Sequence, residues 1–186
     1  MYICTNNAPM RKILLAVDLQ NDFIDGSLTV PGAADVIPVI NKAKHDYDLV
    51  YFTVDWHSAG HCSFRENGGP WPVHCVHHTH GAAIPDCLLE GMDEGKMRFW
   101  LKGTLVEQYG AFADLSPSLQ DWFRPGDEVT VCGIASEYCV FETVKNVQAI
   151  AEAVGFKVKL WLAATAKFDN YDELLKFAAE KGLEVI

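Results

Sequence analysis

The sequence predicts an α/β protein built on a doubly wound parallel sheet, and two observations lead to this prediction. Short apolar runs rich in β-branched and aromatic residues recur without strict alternation, as expected for strands buried on both faces. Segments of helical periodicity lie between several of these runs. Strands that alternate with helices in this way indicate parallel pairing, with helices covering the sheet.

The strands and helices can be assigned in order along the chain. Helical periodicity is clear over residues 33–45, where Pro38 is expected to shorten or bend the helix. A second helix is predicted after Cys139, because apolar residues recur there at steps of three and four up to Val154. The predicted strands are residues 13–18, 49–55, 97–102, 128–134, 157–165 and 183–186.

Length and composition indicate one globular domain over residues 1–186. A chain of 186 residues with 49% hydrophobic and 22% charged residues is able to bury a substantial core. Residues 1–11 precede the first strand and are expected to form a flexible extension, whose role is open.

Charge and cysteine content restrict the partners and the compartment. The net charge of −10 argues against nucleic acid and anionic membranes, because both require clustered lysine and arginine. The six cysteines have no regular spacing, and the first residues lack the apolar region of a signal peptide. We therefore expect a cytoplasmic protein with reduced thiols. The oligomeric state is open, and a homo-oligomer is compatible with the sequence.

Chemically capable residues stand at or just after the ends of four predicted strands. Asp18, Asp55 and Lys102 end the first three strands, and Cys139 follows the fourth. A single charge in such a place commonly caps a strand in solvent. In an open α/β sheet, however, the ligand crevice lies outside the carboxyl ends of the strands. The four residues are therefore predicted to converge on one crevice.

Cys139 is a candidate nucleophile, although a lone cysteine in an apolar run is usually a packing residue. Ser136 is predicted to be the N-cap of the helix, which places Cys139 in the first turn, where the helix dipole lowers a thiol pKa. Asp18 is of the right type to accept the thiol proton, and Lys102 to stabilise the thiolate. This combination predicts acyl transfer through a thioester.

The segment 55–81 is a candidate metal site. Asp55 and His57 are two residues apart, so their side chains point the same way at an extended strand end. His61 and His74 are able to fold back to the same point. One carboxylate with two or three imidazoles suits Zn²⁺, Fe²⁺ or Mn²⁺ with open coordination positions.

Two alternatives remain for this segment. Its histidines are solvated in one alternative, and in the other a structural zinc is bound by Cys62, Cys75 and a histidine. The usual spacing of structural zinc ligands is absent. The remaining histidines are expected at the surface or behind the ligands; they are His77, His78 and His80.

Aromatic residues flank both candidate sites. Phe23 follows the first strand and Trp71 lies in the histidine segment. Packing in the core is the default interpretation for both. A planar heteroaromatic substrate would give them a second role as pocket walls.

Taken together, these residues resemble the ordered motifs of the nicotinamidases, which are isochorismatase-like cysteine hydrolases. The resemblance covers about residues 12–165. It implies a three-layer α/β/α sandwich with a mostly parallel six-stranded sheet, and hydrolysis of nicotinamide to nicotinic acid and ammonia, a step of NAD salvage. The motifs that carry it are VDLQNDF, DWH with GGPWPVHCV, LKGT, and GIASEYCV.

The resemblance implies a role for individual residues. Asp18, Lys102 and Cys139 correspond to the catalytic triad. A cis peptide between Ile134 and Ala135 would direct the N–H groups of Ala135 and Cys139 into an oxyanion hole. The substrate pocket is expected to include Phe23, Trp71, Ile134 and Ala135.

A cofactor and a substrate range are implied as well. Asp55, His57 and His74 correspond to ligands of one divalent metal ion, expected to be zinc, with iron or manganese as alternatives. His61 matches a position that binds metal in some members and not in others. Pyrazinamide is implied as a side substrate because its ring also offers a nitrogen donor.

Other functions stay open at this stage. Another amide or carbamoyl hydrolase of the same superfamily would keep the triad but generally would not need the metal segment. A catalytically silent metal-binding protein would bind metal without a reactive thiol. Cleavage of isochorismate is disfavoured because members with that activity lack the nucleophilic cysteine.

Overall fold

The fold is built around one six-stranded sheet. A computed structural model describes residues 9–104, 106–113 and 121–186 of the chain. The strands lie in the order β3-β2-β1-β4-β5-β6, and each adjacent pair is parallel. The predicted sheet is therefore confirmed and is entirely parallel. The strands are β1 (Lys12–Val17), β2 (Leu49–Asp55), β3 (Met97–Lys102), β4 (Glu128–Gly133), β5 (Lys157–Thr165) and β6 (Glu184–Val185).

Helices and short helical turns connect the strands. No helix in the described ranges is long and apolar enough to cross a lipid bilayer. Short 3-10 turns occur at Lys44–Asp46, Arg65–Asn67 and Glu94–Lys96. The α-helices are α1 (Asn21–Ile24), α2 (Ala33–Ala43), α3 (Asp86–Leu89), α4 (Phe141–Val154) and α5 (Asp172–Lys181), with a π-helical turn at Ser136–Val140 before α4.

The two faces of the sheet carry separate hydrophobic cores. Residues of β1 alternate between them: Ile13 and Leu15 face the core under α4 and α5, whereas Leu14 and Ala16 face the core under α2. All four side chains are fully buried. Helices therefore cover both faces of the sheet, which confirms the predicted three-layer arrangement.

Helix α2 ends earlier than predicted, and the chain is anchored just before β1. Helix α2 continues through Pro38 and ends at Ala43, and a 3-10 turn covers Lys44–Asp46. At the N-terminus, residues 1–8 of the predicted extension lie outside the described residues. The guanidinium of Arg11 donates to both carboxylate oxygens of Asp127 at 3.0 and 2.6 Å, so the chain is already held in place before β1.

The order of the strands creates a crevice at the carboxyl end of β1. The chain leaves β1 toward β2 on one side and later crosses to β4 on the other side. Val17 at the end of β1 pairs with Thr53 of β2 and with Gly133 of β4. Such a reversal of strand order opens a space between the diverging connections. Residues that follow β1 and β4 consequently meet at this point.

Gly133 allows β4 to end close against β1. Its φ of +127° is a conformation that L side chains rarely adopt. A Cβ atom at this position would lie 2.1 Å from the carbonyl oxygen of Val17, which is backbone and has little freedom to move. A side chain at residue 133 would therefore push β1 and β4 apart at the crevice.

We predict that Gly133→Ala lowers the free energy of unfolding by about 2–4 kcal/mol, because backbone strain and overpacking add. Urea denaturation monitored by circular dichroism measures the change. Gly126→Ala is the matched control, since Gly126 also has a positive φ of +85° but no atom near its Cβ position. Equal losses in both variants would contradict the steric explanation.

Candidate active site

The ends of β1, β2 and β3 bring three charged side chains together. Asp55 and Lys102 are register partners at the ends of β2 and β3, and Asp18 directly follows β1. The Lys102 ammonium lies 2.8 Å from Oδ2 of Asp18 and donates a hydrogen bond to Oδ1 of Asp55. Asp18 and Lys102 are fully buried and Asp55 nearly so. One buried ammonium thus forms ion pairs with two buried carboxylates.

The two carboxylates differ in proton affinity. Burial raises the pKa of Asp18 above its usual value, and the charge of Lys102 offsets this only in part. Burial has the same effect on Asp55, but Lys102 and His57 outweigh it and hold the pKa of Asp55 below its usual range. Burial lowers the pKa of Lys102, yet both carboxylates together raise it well above its usual value. Of the two carboxylates, Asp18 therefore has the higher proton affinity.

Asp18 is held in a defined orientation by Thr53. Its N–H donates to the backbone carbonyl of Thr53 at 3.1 Å, and the Thr53 hydroxyl donates to Oδ1 of Asp18 at 2.6 Å. The backbone of Asp18 has a φ of +48°, so the chain turns sharply after β1. The second carboxylate oxygen, Oδ2, is left to face Lys102.

Cys139 approaches these charges from the turn after β4. The backbone of Ser136–Val140 is a π-helical turn whose N-cap is Ala135, so the predicted capping role of Ser136 is wrong. The Cys139 sulfur lies 3.5 Å from the Lys102 ammonium. It also lies within 4.8 Å of a carboxylate oxygen of Asp18 and of Asp55.

The protonation of Cys139 differs from the sequence-based expectation. Burial raises the pKa of the thiol well above its usual value, and Lys102 opposes this shift without overcoming it. The thiol therefore keeps its proton in the free protein. A nucleophilic Cys139 consequently needs a neighbouring base, and Asp18 has both the position and the raised pKa for that task.

The peptide between Ile134 and Ala135 is cis, as the resemblance implies. Ala135 lines the cleft beside Cys139. Its N–H donates no backbone hydrogen bond within the described part of the chain. The Ile134 side chain is instead fully buried in the core under α2, which corrects its predicted place in the pocket wall.

Two histidines offer the same ring nitrogen to a common point. Nδ1 of His57 lies 2.6 Å from the carbonyl oxygen of Gly103, and Nδ1 of His74 lies 2.7 Å from that of Pro72. A carbonyl oxygen only accepts hydrogen bonds, so each Nδ1 carries a proton and each Nε2 keeps its lone pair in the neutral ring. One donor atom from each of His57, His74 and Asp55 lies within 4.8 Å of the others. This donor set fits a divalent metal with open coordination positions.

His61 stands beside this cluster and is not part of it. Its ring stacks on that of His57 with 4.2 Å between centroids, and its Nδ1 lies 2.7 Å from the Ser63 hydroxyl. Its Nε2 is buried and has no hydrogen-bond partner among the described residues. Burial lowers the pKa of His61, so the ring is neutral and keeps a lone pair.

The remaining cysteines and histidines of this segment form no second cluster of ligands within the described residues. Cys62 is exposed whereas Cys75 is buried, and neither joins a group of three metal-binding side chains. His78 and His80 are exposed and His77 is partly buried. The alternative of a structural zinc on Cys62 and Cys75 therefore finds no support in the geometry.

Two residues that support this site were missed by the sequence analysis. The side-chain amide of Gln20 donates to the carbonyl of Asp55 at 2.8 Å and accepts from the N–H of Asp55 at 2.8 Å. It also donates to the carbonyl of Ala82 at 2.9 Å. Gly103 has a φ of +63°, and a Cβ there would lie 2.6 Å from the His57 ring. Both residues fix the direction of a candidate ligand.

An aromatic cleft lies over the thiol and the histidines. Phe23, Trp71, Tyr109, Tyr138 and Phe168 line it. Trp71 is nearly parallel to Phe168, with 18° between rings, and meets the edge of Tyr138 at 5.0 Å. Its indole N–H donates to the Tyr109 hydroxyl at 3.0 Å. The cleft therefore suits a flat, mostly apolar molecule.

Comparison with known proteins is consistent with this geometry. Residues 12–186 match the family model described as an isochorismatase domain. The chain belongs to the isochorismatase family. The matched range begins with β1 and ends with the last residue, so it contains every candidate site residue.

Similar members of the isochorismatase family include enzymes. The nicotinamidase of Saccharomyces cerevisiae is 30% identical over 208 residues, covering 91% of this chain and 94% of that protein. The nicotinamidase/pyrazinamidase of Mycobacterium tuberculosis is 30% identical, covering 94% and 98%. Among solved structures, the pyrazinamidase of Pyrococcus horikoshii in complex with zinc is 34% identical with a TM-score of 0.77, covering 95% and 98%.

We predict that Lys102→Met lowers the free energy of unfolding by about 3–5 kcal/mol, because it leaves two buried carboxylates without a cation. Thermal and urea denaturation measure the loss. Lys159→Met provides the control, since Lys159 also pairs with two glutamates, Glu128 and Glu184, but at the surface. Comparable losses in the two variants would show that burial of the charges at the crevice is unimportant.

Proposed function

We propose that the protein hydrolyses nicotinamide to nicotinic acid and ammonia, and thereby serves NAD salvage in the cytoplasm. The observation that carries the proposal is the position of Cys139, beside the Asp18–Lys102 pair and under the same cleft as the Asp55, His57 and His74 cluster. Nucleophile, base and a binding point for a ring nitrogen thus face one small space. The relatives known as nicotinamidases support the same substrate.

The cleft suits the shape of this substrate. Nicotinamide is a planar pyridine ring with one amide group, and the cleft walls include Phe23 and Trp71. Aromatic faces bind such a ring by stacking or by edge contacts. The lining also includes Asp55, His57, His74 and Cys139, so the polar groups of the site border the same cleft as the aromatic walls.

Asp55, His57 and His74 are the residues that would hold a divalent metal, and zinc is proposed because a zinc complex of a similar pyrazinamidase is known. Iron and manganese suit the same donors. The orphaned Nε2 of His61 makes it a candidate fourth ligand. When bound, such an ion supplies an open coordination position for the ring nitrogen of nicotinamide and so fixes the direction of the amide.

Catalysis is assigned to Cys139 and Asp18. Asp18 removes the thiol proton as the sulfur attacks the amide carbon, and the N–H groups of Ala135 and Cys139 stabilise the resulting oxyanion. The tetrahedral intermediate expels ammonia with a proton returned by Asp18, which leaves a thioester. Asp18 then activates a water molecule, and hydrolysis releases nicotinic acid. Its raised pKa makes Asp18 suited to accept and return this proton.

Lys102 supports the reaction by its charge. Its ammonium contacts Cys139 at 3.5 Å and Asp18 at 2.8 Å, so it stabilises the thiolate as it forms and keeps the base in place. Because Lys102 also binds Asp55, the same cation orients a proposed metal ligand.

Other substrates and partners follow from the same site. Pyrazinamide is proposed as a side substrate because its ring nitrogen and amide match those of nicotinamide. The histidine cluster would have no role in the hydrolysis of a carbamoyl substrate, and this favours nicotinamide over that alternative. No nucleic-acid or membrane partner is proposed, given the net charge of −10, and the oligomeric state carries no part of the argument.

We predict that Cys139→Ala reduces turnover of nicotinamide by about 10⁴-fold or more, since the residual rate lacks the nucleophile. Ammonia release measured by a coupled assay reports the loss, and circular dichroism checks the fold. Cys62→Ala is the control because Cys62 is an exposed thiol of the histidine segment. Retained turnover in Cys139→Ala, or an equal loss in Cys62→Ala, would refute the assignment.

We predict that removal of metal by a chelator abolishes turnover and that adding back zinc restores it. His74→Ala should weaken metal affinity by more than about 100-fold, because loss of an orienting partner alone costs about 10- to 100-fold. Metal content after dialysis and competition with a chromogenic chelator measure the change. His80→Ala, at an exposed histidine of the same segment, should keep its metal. Unchanged metal content in His74→Ala would remove His74 from the ligand set.

A further inference from the structure

The carboxylate of Glu137 binds three consecutive backbone amides. Its Oε1 accepts hydrogen bonds from the N–H groups of Asp169 at 2.6 Å and Asn170 at 2.9 Å, and its Oε2 accepts one from Phe168 at 3.1 Å. Hydrogen bonds to an ionised carboxylate are stronger than those between neutral groups. A single side chain therefore holds three consecutive backbone amides of one segment.

These hydrogen bonds join the two chain segments that border the cleft on this side. Glu137 lies in the π-helical turn that carries Cys139, whereas the three amides follow β5. Two further hydrogen bonds hold the same segment. The Ser136 N–H donates to the carbonyl of Ala166 at 2.8 Å, and the Tyr171 hydroxyl donates to the carbonyl of Thr165 at 2.7 Å. Among the residues that the structure describes, the amide of Phe168 itself binds only Glu137.

Phe168 is part of the cleft wall. Its ring is nearly parallel to that of Trp71, with centroids 6.0 Å apart, and meets Tyr138 at an angle of 81°. Tyr138 and Trp71 are themselves in edge contact. A shift of the Phe168 backbone would therefore change the wall that faces a bound ring.

We propose that Glu137 is a positioning residue that sets the aromatic wall of the cleft through Phe168 and so determines the affinity for a planar heteroaromatic ring. The proposal rests on nicotinamide hydrolysis as the proposed function. Contacts of the wall with the ring are the same in the ground state and the transition state. Their loss raises KM and leaves kcat nearly unchanged.

Glu137→Gln is the variant that tests this inference. A carboxamide keeps the size of the side chain but replaces one acceptor oxygen by an NH₂ donor. One orientation opposes this donor to the N–H of Phe168, and the other opposes it to the amides of Asp169 and Asn170. Glu152→Gln is the matched control, because Glu152 lies on α4 and binds only Lys181 and Gln148 among the described residues.

Hydrogen–deuterium exchange measures the positioning directly and needs no substrate. In Glu137→Gln, exchange of the amides of residues 168–170 should accelerate roughly tenfold, since a charge-assisted hydrogen bond is lost. Exchange of the amides in α4 and β4 should stay unchanged, and Glu152→Gln should exchange as the wild type does. Unchanged exchange at residues 168–170 would overturn the proposal.

Kinetics then test whether the effect passes through Phe168. Glu137→Gln should raise KM for nicotinamide about tenfold with kcat within about twofold of wild type. Phe168→Leu should raise KM as well, and adding Glu137→Gln to it should raise KM no further, because the two act on one contact. Additive effects on KM, or a fall in kcat at unchanged KM, would contradict the proposal.

Failure of the proposed function would be distinguishable. If metal-loaded wild-type protein does not hydrolyse nicotinamide, the proposed function fails and the role in ring affinity fails with it. The exchange experiment would still decide whether Glu137 holds Phe168 in place.

Discussion

The buried ammonium of Lys102 is the interaction on which the rest of the site depends. It lies between Asp18 and Asp55 and also contacts Cys139, so it links the proposed nucleophile, its base and a proposed metal ligand. Without this cation the buried carboxylates of Asp18 and Asp55, whose oxygens come within 4.8 Å of each other, would repel each other. Burial raises the pKa of Asp18 despite this cation, whereas the cation and His57 together hold the pKa of Asp55 below its usual range. The surroundings of the shared charge therefore give the two carboxylates different proton affinities.

Around this centre, polar groups that do no chemistry fix the direction of those that do. Gln20 holds the backbone of Asp55 on both sides, the carbonyl of Gly103 holds His57, and Glu137 holds the segment of Phe168. In each case a side chain is matched to a backbone group, which has little freedom of its own. Such supporting hydrogen bonds keep catalytic and ligand groups in place before a substrate binds.

The sequence predicted the strands, the crevice and the charged residues well, because these features depend on local patterns. Burial on both faces and the positions of strand ends can be read along the chain. The failures concern contacts between distant segments. Ser136 has the residue type of a cap, but the chain forms a π-helical turn there. Ile134 adjoins the cleft in sequence while its side chain enters the core.

The missed residues have the same explanation. Phe168 follows the end of β5 and Tyr138 precedes Cys139, so their positions were available as signals, yet an aromatic residue is most often a core residue. Gln20 follows β1 by three positions, and nothing in its type indicates that it will bind Asp55. The raised pKa of Cys139 likewise depends on its burial in the folded protein, which no local pattern contains.

The contact of Lys102 with both carboxylates also has a consequence for folding during synthesis on the ribosome. Asp55 is synthesised 47 residues before its counter-cation, and Asp18 earlier still. Until β3 emerges, β1 and β2 carry two acidic groups into a site that holds no cation, so the nascent half-sheet gains little by closing. Closure of the crevice around Asp18 and Asp55 therefore follows the synthesis of β3, which supplies the ammonium of Lys102.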